Sequence, residues 1–327
     1  MALYSGLDAQ FGMVDESTWG TYVAPTTFLA FLGESLELVS ERIESASIRA
    51  GDRVQSEDEW AVNTKGVSGS VDFELSTKGF GEIWEACLGG RSITTPGGSA
   101  PRDHTCTISD TVVPKTVQIG RPSTAAGAVQ PYSYTGMKVT GWTFGQALDE
   151  MAKISVEWDG QAMSTSQALA SASYTANAIR FPFTQCAITV GGVAVAATSF
   201  SLTASTGLAT DRYQLNSTSN KRVQVPAQLY EMTGELVMEF EDLTEAAYYA
   251  AGTEHQVIIT HTGATDGIES SYAFTNTITL PVVRWDGGAP TVSDTGIVEL
   301  ALPFKVMADS AGSAAPITVV YRTTDTA

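Results

Sequence analysis

The chain has 327 residues, 43 % of them hydrophobic, and a formal net charge of −18. No apolar run approaches the length of a membrane-spanning helix, and the acid excess disfavours a direct grip on DNA or on an anionic membrane, both of which need Lys and Arg. Three cysteines, Cys87, Cys106 and Cys186, are too few for a disulfide framework and fit no zinc spacing.

The first residues, MALYSGLDAQFG, lack the charged start and apolar stretch of a secretion signal, which predicts folding in a cytoplasm. Residues 1–60 hold 11 acidic and 3 basic side chains. Solubility alone accounts for such a surface about as well as a need not to stick to a passing polyanion. Residues 1–27 carry many turn formers and few core-type positions, and read as an extended arm. Phe11, Trp19 and Tyr22 lie on it. Large aromatics are costly to leave in water on a mobile segment, so they are expected to anchor the arm on a neighbouring subunit.

Residues 28–38 suit a strand, and residues 49–66, with the acidic run Glu57-Asp58-Glu59, a long loop. Val67, Gly69, Val71, Phe73 and Leu75 alternate as one face of a half-buried strand. The period then changes. Phe80, Ile83, Trp84, Cys87 and Leu88 form one helical stripe, with Ser76 or Thr77 to cap its start and Gly89 to close it. Residues 91–103 read as a loop and 159–177 as a linker. Most of the remainder is rich in Val, Ile, Thr and aromatics and reads as strands separated by turns such as Gly191-Gly192, Asp266-Gly267 and Asp286-Gly287-Gly288. Leu236, Met238 and Phe240 share a strand face. Asp242 and Glu245 have capping-box spacing, ahead of a narrow stripe of Leu243, Ala246, Ala247 and Ala250 that stops at Gly252.

One passage is written twice. Val67-Ser68-Gly69-Ser70-Val71-Asp72-Phe73-Glu74 and Met232-Thr233-Gly234-Glu235-Leu236-Val237-Met238-Glu239 lie about 164 residues apart, each followed by a short helix ending in Gly. Ser35-Leu36-Glu37-Leu38 and Ser199-Phe200-Ser201-Leu202 agree with that offset. Equal offsets at several anchors indicate one module used twice. The expected organisation is an arm over 1–27, a first module over 28–165 and a second over 166–327. The expected fold is mainly β: two duplicated β-barrel or sandwich modules, each with one short flanking helix.

No constellation with catalytic roles can be assembled, so an enzyme is not expected. His255 and His261 lack further ligands for a metal and read as surface histidines of a hairpin. There is no Gly-x-Ser-x-Gly elbow and no phosphate-cradling loop. Glu57-Asp58-Glu59 and the pair Asp286 and Asp294 miss a calcium-loop spacing. No cofactor and no metal are expected.

Three groups of residues carry a resemblance. At the start stand Leu7-Asp8-Ala9-Gln10-Phe11-Gly12, Glu16-Ser17-Thr18-Trp19-Gly20 and Pro25-Thr26-Thr27-Phe28-Leu29. In the first module Val67, Gly69, Ser70 and Phe73 lead to Leu88-Gly89. At the end stand Gly296-Ile297, Leu302-Pro303-Phe304, Pro316-Ile317-Thr318-Val319 and Tyr321-Arg322. In this order the chain resembles the tail tube proteins of long-tailed bacteriophages over nearly its whole length; residues 91–130 match nothing in that pattern. The resemblance implies a structural virion protein, assembled in the host cytoplasm, whose copies join edge to edge into rings. The rings stack into a tube that conducts DNA on ejection. Two modules per chain favour rings of three chains with pseudo-sixfold symmetry over rings of six. Implied partners are the chain itself, the tape measure, terminator and distal tail proteins, and DNA passing without specificity through an acidic lumen. Phe11, Trp19, Tyr22, Glu57, Asp58 and Glu59 are then the assembly candidates. The competing reading is a β-rich host-binding fibre or adhesin module, with Tyr132 and Tyr134 near Pro131 stacking on sugars.

Overall fold

The computed structural model describes residues 5–124, 127–215, 218–241, 243–264, 267–290, 292 and 295–326. The fold is mainly β, with two short α-helices among the described residues. The first half contains β1 (Gln10–Asp15), β2 (Thr27–Leu29), β3 (Gly33–Glu34), β4 (Glu37–Glu44), β5 (Trp60–Glu74), α1 (Phe80–Leu88), β6 (Gly89–Thr94), β7 (Arg102–Ile108), β8 (Lys115–Ser123), β9 (Ala128–Ala147), β10 (Lys153–Gly160) and β11 (Ala162–Ser164). The second contains β12 (Cys186–Val190), β13 (Val193–Val195), β14 (Ala197–Ser205), β15 (Leu208–Ala209), β16 (Val225–Pro226), β17 (Glu231–Glu239), α2 (Thr244–Ala251), β18 (His255–Thr262), β19 (Thr275–Trp285), β20 (Glu299–Val306) and β21 (Thr318–Thr323).

The pairings of the two halves correspond strand for strand. β5 lies between β4 and β10, and β17 between β14 and β20. β9 pairs with β10, β8 and β11, as β19 pairs with β20, β18 and β21. β8 takes β1 on its far side, and β18 takes β12. The repeated glycines have the same task. A Cβ on Gly69 would collide with the backbone of Ser35 and Leu36, and one on Gly234 with the Ser201 carbonyl and the Phe304 ring. Each glycine therefore lets the preceding strand approach its own. The halves differ by insertions: the β6–β7 hairpin after α1, and residues 206–230 with the β15–β16 pair after β14.

In the first half the long strand β9 serves two layers, pairing with β8 through its start and with β10 and β14 through its end. The layers meet across the core, where Phe11 of β1 stands edge-on to Phe73 of β5 with ring centroids 5.0 Å apart. In the second half Phe200 of β14 faces His261 of β18. One layer runs unbroken through both halves in the order β4-β5-β10-β9-β14-β17-β20. A second junction joins β7 to β21.

α1 buries Phe80, Ile83, Trp84, Cys87 and Leu88, the stripe expected of it, and closes at Gly89. Its start differs from expectation. The first turn opens at Gly79, whose N–H donates to Asp325 Oδ2 at 2.6 Å. Ser76 instead donates to the Lys78 carbonyl, and Thr77 accepts from Ile179 N–H. α2 starts at Leu243 without a side-chain cap; Asp242, the expected cap, lies outside the described residues, as do Asp266 and Asp294. α2 buries no residue fully, with Ala246 and Tyr248 packed against the core.

Four further expectations are corrected. The single strand over 28–38 is three short ones, broken at residues 30–32 and 35–36. Residues 91–103 hold the end of β6, the turn and the start of β7, and β7 pairs with β21. The loop over 49–66 gives way to strand at Trp60, so β4 and β5 form a long hairpin with residues 45–59 at its tip. The arm over 1–27 is not free: β1 is hydrogen-bonded between β2 and β8.

Candidate functional site

The three aromatic assembly candidates are turned into their own chain. Phe11 is fully buried. Trp19 is half-buried, and its indole N–H donates to Gln224 Oε1 at 3.1 Å. The Tyr22 hydroxyl accepts from Gln118 Nε2 at 3.3 Å. Burial of Phe11 within its own chain removes it from the expected docking on a neighbour, and pairing with β8 gives the arm a core of its own. Tyr134 is also fully buried, and Tyr132 is covered by the Arg121 guanidinium, 4.4 Å from its ring. The sugar-stacking reading loses both aromatics to strand β9.

Glu57, Asp58 and Glu59 remain at the tip of the β4–β5 hairpin. Glu57 and Asp58 are exposed. Glu59 accepts from Ser47 Oγ at 3.0 Å and from Ser56 N–H at 3.1 Å, which braces the tip. The three do not converge on a common point among the described residues.

Among the described residues one acidic group does converge: Asp15, Glu82 and Glu85 place carboxylate oxygens within 4.8 Å of one another. A cation built into the chain already occupies it. Lys115 Nζ lies 3.2 Å from Glu82 and 3.3 Å from Glu85 and also touches Asp15. Arg91 reaches Glu82 at 2.7 Å. Burial works to lower the Lys115 ammonium, but the three carboxylates outweigh it and hold its pKa above the usual value. Burial likewise works to raise Glu82, and Lys115 with Arg91 hold it below the usual carboxylate range.

The histidines are structural. His261, expected on the surface, is fully buried, and burial pushes its pKa down to about 4. Its Nε2 lies 2.9 Å from Gln146 Oε1. The Gln146 amide nitrogen is committed to the carbonyls of Glu150 and Phe181, so Oε1 accepts and the imidazole proton sits on Nε2. His104 is buried beside the ring of Tyr321. His255 is half-buried and accepts from the Trp285 indole at 3.0 Å.

What the residues build is a joint, and sequence reasoning did not locate it. β14 of the second half adds to β9 of the first over seven residues, from Ser199 opposite Ala147 to Ser205 opposite Gly141. On the solvent side of this seam the hydroxyls of Thr143 and Thr203 meet at 3.1 Å. The 206–230 insertion then folds back over the first half. Lys221 Nζ reaches Asp159 Oδ1 at 2.5 Å, and the Gln224 amide donates to Asp159 Oδ2 and to the carbonyls of Gly136 and Asp159. Burial raises the Asp159 pKa, against the hydrogen bonds from Lys221 and Gln224.

The continuous layer has one face on the core and one in solvent. Alternation puts Asp72, Glu74, Glu157, Glu231, Glu235, Glu239 and Glu299 on the solvent face, with Lys153 and Lys305 as the opposing charges. Ser and Thr fill much of the rest. At one end of the layer β4 pairs, among the described residues, only with β5.

No curated protein matches this chain. The family profile of the phage tail tube protein matches residues 6–306, and the chain belongs to that family.

Proposed function

We propose that this structural tail protein assembles into closed rings, that the rings stack into the tail tube, and that the tube conducts DNA. The observation that carries the reading is the layer β4-β5-β10-β9-β14-β17-β20, which crosses both halves and ends at β4, an edge with no second partner among the described residues. An unpaired sheet edge is a template for another strand, and a head-to-tail contact closes into a ring when its rotation permits. Two halves with the same strand order supply two ring positions per chain, which supports three chains with pseudo-sixfold symmetry rather than six. The solvent face of the layer suits a lumen. Its acids repel phosphate, so a polyanion can pass without being gripped.

The reading asks for no catalytic group, cofactor or metal. It places ring assembly in the host cytoplasm and gives the tube the tape measure, terminator and distal tail proteins as neighbours. Negative-stain microscopy of concentrated protein tests it, with ring mass measured alongside. Rings or tubes with three chains per ring are expected. Isolated particles at high concentration overturn the reading, and six chains per ring overturn its symmetry.

A further inference from the structure

We infer that the seam between the two halves of one chain is the template for the seam between copies: β4 of one copy adds to residues 287–290 of a second copy, with Glu37 opposite Ala289. This rests on the ring reading and specifies its contact.

The register follows from the repeat. Gly69 and Gly234 are counterparts, so Glu37, opposite Ser68, stands where Thr203 stands opposite Thr233; the strand pairing thus shifts the sequence match of Glu37 with Ser201 by two residues. On the receiving side, Trp158 pairs with Val139 and Phe304 with Trp285. Beyond Trp285 the chain continues along β20 as β9 continues along β10. Asp286 N–H donates to the Pro303 carbonyl at 2.8 Å. A Cβ on Gly287 would meet Pro303, as one on Gly141 would meet Glu157. Gly288 lies against Leu302, as Trp142 lies opposite Val156. Ala289 is therefore the counterpart of Thr143, and Thr143 faces Thr203.

Residues 287–290 carry no strand in the single chain, and none of the described residues does for them what β14 does for β9. Pro290 fits the register. It falls opposite Leu36, and it has no N–H to give. The Leu36 carbonyl does not need one: Arg121 donates to it at 2.5 Å and Tyr134 at 2.9 Å.

Charge agrees with the alignment. In the internal seam the insertion after β14 presents Lys221 to Asp159. At the counterpart positions the second half carries Lys305 for Asp159, a reversal of sign, and Arg284 for Lys138; within the chain Glu231 pairs with Lys305 and Asp286 with Arg284. The segment after β4, which would lie over them, carries Glu57-Asp58-Glu59. The same hairpin leaves Leu38, Val39, Ile43 and Trp60 partly exposed in the single chain, with Leu38 and Val39 on opposite faces of β4.

Cysteine pairing tests the register. In a Cys186→Ser background, Glu37→Cys and Ala289→Cys chains are purified separately, mixed, assembled and oxidised. Opposed strand positions fall within disulfide reach, so a covalent dimer containing one of each is expected. The double variant is expected to give covalent rings. The Thr143→Cys/Thr203→Cys chain, joined within itself, is the control for folding and oxidation. Rings in the microscope and a closed control disulfide, but no link between Glu37→Cys and Ala289→Cys chains, overturn the register and leave the ring reading standing. Failure of the unmodified chain to form rings overturns both.

Discussion

The indole N–H of Trp84 donates to Asn276 Oδ1 at 2.9 Å, between residues 192 apart in the chain. Trp84 is the centre of the first helix stripe and Asn276 belongs to β19 of the second half. The same indole stands edge-on to Trp142 and Phe144 of β9, the strand that receives β14. One side chain thus ties helix, seam and second half into a single core.

Trp84→Ala should cost roughly 3–5 kcal/mol, the range for truncating a fully buried large aromatic, and should leave Asn276 without this donor. Because the core is shared, calorimetry should show one transition moved down as a whole. A melt within a degree or two of the parent contradicts the assignment, and so does a variant in which only one half melts early.

The N-terminal segment is expected to be needed for folding. β1 covers the outer edge of β8, and Phe11 and Met13 are fully buried. Phe11→Ala should lower stability by about 3–5 kcal/mol, and a chain lacking residues 1–27 should lose its native circular dichroism. A truncated chain with an unchanged melt would return the segment to the role of a docking arm.

The repeated strand-to-helix grammar was readable because alternation and helical period are local: Val67, Val71 and Phe73 point one way whatever surrounds them. β1 was not, because Gln10–Asp15 is short and Gly12 interrupts its apolar run. The β6–β7 hairpin was hidden by polar residues such as Arg91, Ser92 and Thr94, which become strand by pairing with β7, itself bound by β21. The seam was out of reach for a different reason. Thr143 and Thr203 are ordinary strand residues, and only tertiary pairing makes them neighbours. Phe11 is a costly aromatic to leave in water, yet that burial energy is satisfied within the chain when a partner strand is at hand.

His261 should make the protein acid-sensitive. Its folded pKa, about 4, lies below the unfolded value of 6.5. The unfolded state therefore binds more protons between these limits. Stability from this group is complete above pH 6.5 and is lost as pH falls towards 4, by up to about 3 kcal/mol. Melting curves from pH 7 to 4 should fall less steeply for His261→Gln than for the parent. Parallel curves would place the acid sensitivity elsewhere.

Assembly should be indifferent to metal removal. The one convergent carboxylate group among the described residues, Asp15, Glu82 and Glu85, already holds Lys115. A divalent ion entering it would have to displace a buried ammonium that its neighbours stabilise. Light scattering during assembly should give the same curve after dialysis against chelator as before. Lys115→Ala is the sharper experiment. It leaves the exposed Asp15 and the half-buried Glu82 and Glu85 with Arg91 alone to offset them, which destabilises the fold through like-charge repulsion. The variant should melt well below the parent at pH 7. Added calcium should raise that melt for the variant, whose cluster is vacated, and not for the parent. Calcium stabilising the parent equally, or restoring assembly after chelation, would show that the chain carries a metal site elsewhere.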